Sequence, residues 1–320
     1  MTASTPVEQG PGLWEVVWLW IMWAVVAALV WITYARLPAS DFYNVTGTGL
    51  RSGAARVLVL IGWPISLAAL ALMAVAVDRL LAAPLAPRAR RAVAAAAVAA
   101  ALLCATIAWP GVITQSNLDA KPSNALAAVG VGIAVALTLA ALRICGPGHR
   151  VRRRGDPAAL VLVAAIGLAA LPWIFANLGV YVGDVPGLGR IFMSKQILPE
   201  PGHPHLHAVH LGNHEGLDGW LLAATALGLR RALPHMRPTR LRPVLGGYLA
   251  LLLGYGVMVA ANDGWNEQIV KRGWTAHNLP GVITPAASAG WAILIAAAVV
   301  LYLTAFRVTP PRRRAAEPAT

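Results

Sequence analysis

Hydrophobic positions in this chain fall in long unbroken runs, not in the strict alternation of a half-buried strand. Eight runs stand out: Leu13–Tyr34, Val57–Val77, Ala92–Trp109, Asn124–Ile144, Ala158–Leu178, Leu217–Leu233, Leu241–Ala261 and Ser288–Phe306. Each is close to the roughly 20 residues that a helix needs to cross ~30 Å of hydrocarbon; the third and sixth are the shortest. The pattern predicts an all-α, polytopic membrane bundle of about eight transmembrane helices. It reads as a single transmembrane domain over 1–310, followed by a disordered cytoplasmic tail over 311–320.

Composition strengthens this reading. The chain is 58% hydrophobic and only 12% charged, against roughly 25% charged in a soluble domain. So few charges cannot cover a water-facing surface. Cys104 and Cys145, the only cysteines, fall in or at the end of apolar runs and read as small hydrophobes, not as a disulfide framework. No GxxxxGK[ST] loop is present and the connections are too short for a nucleotide domain, which excludes an ATP-driven pump from this chain alone.

A formal charge of +13 invites a nucleic-acid reading, but its distribution removes the need for one. Basic residues crowd into alternate connections: Arg79 to Arg91, Arg143 to Arg154, Arg230 to Arg242, and Arg307 to Arg314. These segments, with the two tails, carry the whole excess. On the other side Arg36, Arg51, Arg56, Lys121, Arg190, Lys195, Lys271 and Arg272 are balanced by Asp41, Asp119, Asp184, Glu200, Glu215, Asp218, Asp263 and Glu267. Basic loops stay in the cytoplasm, so the expected location is the cell (inner or plasma) membrane with both termini cytoplasmic. The expected partners are membrane lipids, whose anionic headgroups the arginines attract, and not nucleic acid. One local feature runs the other way: the N-terminal tail lacks Lys and Arg while Arg36 directly follows the first run. The four later basic segments outweigh it.

Pro110-Gly111-Val112-Ile113-Thr114 precedes the fourth run and Pro280-Gly281-Val282-Ile283-Thr284 the eighth. Two halves, 13–145 and 158–308, would then form a 4+4 parallel repeat of the kind some transporters use. The alternative is a recurrent Pro/Gly turn before a helix. The run interiors carry little that ionises, so proton-coupled transport lacks its usual residues.

The least ordinary stretch lies on the outer side. His203, His205, His207, His210 and His214 fall within twelve residues and are followed by Glu215 and Asp218. Read as one helix from Pro204 to Leu233, stopped by Pro234, the segment puts His207, His210, His214 and Asp218 within an arc of about 80°, with His205 opposite. A histidine pair at i, i+4 lets two imidazoles reach one metal ion from one helix. Imidazole with nearby carboxylate suits zinc first, with copper and iron as alternatives. The expected ligands are His207, His210 and His214, with His203 and His277 as further candidates. Asp218 would orient a ligating ring, and Glu215 or Asp218 would accept protons. The ordinary alternative is a pH-responsive polar collar at headgroup level. HExxH is not completed, because Asp218 stands where the second histidine belongs, and three separated histidine boxes of the desaturase kind are absent.

Three functions follow from such a site. The first is a membrane-embedded metalloenzyme acting from the outer face on a lipid or lipid-linked substrate, with Arg190, Lys195, Lys271 and Arg272 available to an anionic headgroup. The second is non-enzymatic metal handling, for acquisition, sensing or export. The third is a scaffold or assembly subunit whose histidines meet a protein partner.

Overall fold

A computed structural model describes residues 13–36, 52–109, 120, 122–148, 155–171, 174–175, 186, 215–270 and 273–308. Every regular element among them is helical: α1 (Trp14–Arg36), α2 (Ser52–Leu60), α3 (Ser66–Ala82), α4 (Pro87–Ala105), α5 (Pro122–Cys145), α6 (Asp156–Ala169), α7 (Glu215–Leu229), α8 (Leu241–Trp265) and α9 (Ala289–Leu301). Helices α2 and α3 form one span joined by a π-helical turn, Ile61–Ile65, which accommodates Pro64. Six of the resulting spans among the described residues are long and apolar enough to cross a membrane: Trp14–Ala35, Ala55–Ala82, Pro87–Ala108, Ser123–Cys145, Leu241–Val270 and Ala289–Phe306. Large apolar side chains such as Val98, Leu102, Leu160 and Ile293 are exposed on the bundle surface, where hydrocarbon covers them as water would not. The protein is a multi-pass membrane helical bundle.

Two of the eight expected runs give shorter helices in the described residues. Helix α6 has 14 residues and α7 has 15. Helix α7 also ends earlier than its apolar run does, at Leu229 and not at Leu233. Pro234 disfavours helical backbone at the residue before it. The chain tightens first, through bonds from the N–H of Arg231 to the carbonyl of Gly228 and from Ala232 to Leu229.

Polar side chains inside the bundle tie helix to helix. The indole of Trp20 on α1 donates to the Thr138 hydroxyl on α5 at 3.2 Å, and that of Trp23 to Thr225 on α7 at 3.0 Å. Each threonine donates in turn to the carbonyl four residues before it. In hydrocarbon an indole N–H needs such a partner. Helices α7 and α8 come into backbone contact at two glycines: a Cβ on Gly219 would lie 2.4 Å from the Gly256 carbonyl oxygen, and one on Gly256 would lie 2.5 Å from that of Gly219. Small residues permit such backbone contact between membrane helices.

The arginine-rich segments meet at one end of the bundle. Arg231, beyond α7, bridges Asp156 at the start of α6 at 3.1 Å. Arg237 bridges the buried Asp78 of α3 at 3.0 Å and also donates to the Leu81 carbonyl. The thiol of Cys145 closes α5 against the Arg79 carbonyl at 3.6 Å. Phe306, near the last basic segment, lies against Gly246 of α8. Among the described residues, the basic connections therefore lie together at one end of the bundle.

Candidate functional site

At the opposite end of the bundle, ionisable side chains are buried where α1 ends, α2 begins, α7 begins and α8 ends. Arg56 stands on the first turns of α2 and is 1% exposed. Its guanidinium carbon lies 6.0 Å from the ring centroid of Tyr34 on α1, a cation–π contact in a desolvated place, and it also hydrogen-bonds the Tyr34 side chain. Asp218, in the first turn of α7, is fully buried. Its charged neighbours are Arg56 and Asp263. Neither of its carboxylate oxygens has a hydrogen-bond partner among the described residues.

Asp263 comes from the last turn of α8 and is also buried. Its Oδ2 accepts the Gly216 N–H at 2.8 Å. A helix start leaves its first N–H groups without intrahelical partners and carries partial positive charge, so a carboxylate from a neighbouring helix is well placed there. The Gly219–Gly256 contact brings α8 close enough to α7 for that bond to form.

The segment after α8 is laid across this end and held by backbone carbonyls. Asn262 donates to the Leu279 carbonyl at 2.9 Å, and Trp265 to that of His277 at 2.6 Å. Trp63 donates to the Tyr255 hydroxyl at 3.0 Å, which donates to the Ile283 carbonyl at 2.9 Å. Trp291 donates to the Thr284 carbonyl at 2.7 Å. The second Pro-Gly-Val-Ile-Thr motif is thus the part of this strap that Tyr255 and Trp291 hold down. Its first copy, 110–114, lies outside the described residues. An apolar cavity of about 80 Å³ lies under the strap, lined by Trp63, Ile107, Tyr255, Ile283, Pro285 and Trp291 among others.

The expected site residues divide as follows. Asp218 and Glu215 open α7, the first buried and the second half-buried. His277 is exposed, and its role in the structure is through its backbone: the carbonyl takes the Trp265 indole and the N–H donates to the Thr275 hydroxyl at 3.2 Å. His203, His205, His207, His210 and His214 lie outside the described residues, as do Arg190, Lys195, Lys271 and Arg272. Among the described residues, no three His, Cys, Asp or Glu side chains are grouped to hold a metal ion. The ligand set expected from the sequence therefore depends on the histidines that precede α7.

Arg56, Tyr34 and the cross-helix bond of Asp263 were not read from the sequence, which placed Arg56 in an outer connection. The structure extends the expected run Val57–Val77 to a helical span of 28 residues, Ala55–Ala82, more than a bilayer needs, and this places Arg56 in its first turns. The cluster brings Asp218 and Asp263 beside Arg56, with Glu215 in the same first turn of α7 as Asp218. No protein-family model matches the chain, and comparison with curated proteins and with solved structures found no match.

Proposed function

We propose that this chain carries an outward-facing transition-metal site and works as a membrane-embedded metalloenzyme on a lipid or lipid-linked substrate. The observation that carries the reading is Asp218: a fully buried carboxylate, without a hydrogen-bond partner among the described residues, four positions after His214 on the helix that the histidine segment enters. Such a group fits the need of a ligating imidazole for an acceptor on its far nitrogen. His207, His210 and His214 would be the ligands, with His203 and His277 as further candidates. Glu215, less buried, would move protons at the substrate. Bound zinc, or copper or iron in its place, supplies Lewis acidity toward an ester or phosphoester oxygen.

In the same reading the arginine-rich end faces the cytoplasm of a cell or inner membrane and the histidine segment faces outward. The short helices α6 and α7 complete eight crossings of one domain, 1–310, with halves 13–145 and 158–308 as a parallel repeat and 311–320 as a cytoplasmic tail. The site asks for lipid and not nucleic acid. Metal analysis of the purified chain tests it. The expected result is about one transition metal per chain, nearly abolished in His210→Ala and His214→Ala and weakened roughly 10–100-fold in Asp218→Asn. Metal without lipid turnover would leave a metal handler. Metal content indifferent to all three substitutions would sink the reading and leave a scaffold that meets a protein partner.

A further inference from the structure

A second apolar hollow runs along the arginine-rich half of the bundle and shares only Tyr248 with the cavity under the strap. It measures about 360 Å³ and lies where α3 packs against both α4 and α8. Its walls are helical stripes: Leu70, Ala74 and Val77 on α3, Val98 and Ala101 on α4, and Val244 on α8. Val98 and Val244 are exposed, so the hollow opens sideways into hydrocarbon. Its one polar lining group, the Tyr248 hydroxyl, donates to the Leu67 carbonyl at 2.8 Å. The wall on α8, from Leu241 to Tyr248, rises about 10 Å, which lies within one leaflet of a ~30 Å hydrocarbon core.

Beyond its arginine-rich end, two of the helices that wall the hollow carry exposed cations. Arg91 lies seven residues before Val98, and Arg90 seven before Ala97, so both lie on the groove face of α4 two turns further out. Arg240 stands at the start of α8, four residues before Val244, and also lines a neighbouring hollow beside Tyr302 and Phe306. The acids at this end are already bridged, the buried Asp78 by Arg237 and the partly exposed Asp156 by Arg231. Arg90, Arg91 and Arg240 have no ion pair among the described residues.

The geometry points to a resident anionic phospholipid, one acyl chain in the groove between α3, α4 and α8 and its phosphate on Arg90, Arg91 and Arg240. Apolar walls alone cannot choose among lipids, because lipid tails are as apolar as leucine. The groove supplies a shape that one chain fills, and the headgroup supplies the choice, since each basic side chain near the surface favours an anionic lipid.

The full chain, purified in mild detergent and stripped of lipid, is offered equal amounts of phosphatidylglycerol and phosphatidylcholine, and bound lipid is counted by native mass spectrometry. One phosphatidylglycerol is expected per chain, preferred roughly tenfold or more. Arg90→Gln with Arg91→Gln and Arg240→Gln, all at exposed positions, should keep a bound lipid but lose the preference. Val98→Trp, which fills the groove from its open side, should lose the lipid with the arginines intact. Equal retention of the two lipids by the unaltered chain would overturn the proposal. So would retention by Val98→Trp equal to the unaltered chain, or a dimer that Val98→Trp dissociates, since a second copy would then be the occupant.

Discussion

Asp218 and Arg56 show what one side chain does to its neighbours in a dry interior. Each is buried, and each lies in the field of the other. A buried charge deprived of its compensation is costly, while removal of both charges can be nearly neutral. Asp218→Asn and Arg56→Gln should therefore each lower the unfolding midpoint in detergent. The double variant should lose less than the sum, by a coupling of roughly 0.5–3 kcal/mol. Strictly additive losses would mean that the two do not form one electrostatic unit. The sequence offered Asp218 through its position after the histidines. It did not offer Arg56, whose burial depends on Tyr34 of another helix.

At the scale of elements, the α7–α8 contact is the joint on which this end of the bundle depends. A methyl group on Gly219 would meet the Gly256 carbonyl oxygen at 2.4 Å and the Ala260 nitrogen at 2.8 Å. Both are backbone atoms, so the helices must part. Gly219→Ala and Gly256→Ala should each destabilise the protein, by about 1–3 kcal/mol as overpacking does. They should also separate Asp263 from the Gly216 N–H. Gly247→Ala is the control: on α8, with open space where its Cβ would go, it should be neutral or stabilising by up to about 1 kcal/mol. Thermal unfolding of the three variants in one detergent compares them; equal midpoints would show that the close approach is not needed. The apolar run containing Gly219 was legible in the sequence. Its earlier end at Leu229 came from the turn that precedes Pro234.

For the whole molecule, the arginines define a direction. The basic segments converge on one end through Arg231–Asp156, Arg237–Asp78 and Cys145–Arg79, and the buried cluster of Arg56, Asp218 and Asp263 occupies the other. Single cysteines placed at Arg152 and at His205, in a chain without its native cysteines, should respond differently to an impermeant thiol reagent on intact cells. Position 205 should label and position 152 should not; the reverse pattern would invert the orientation.

Legible along the chain were a multi-pass membrane bundle, the six apolar runs that become its long spans, and the gathering of the described basic connections at one end. Those properties are written along a line: the length of an apolar run against the thickness of hydrocarbon, and the alternation of basic connections between runs. The tertiary structure alone decided which faces meet. In a helix that is apolar all round, positions facing lipid and positions facing protein carry the same residue types, so periodicity does not distinguish them. That is why the Trp23–Thr225 bond, the Gly219–Gly256 contact and the groove beside Tyr248 appear only once the helices are packed. The same holds for the cluster: Asp263 reaches the start of α7 and Arg56 comes beside Asp218 because three helix ends, distant along the chain, close over one small volume from which water is excluded.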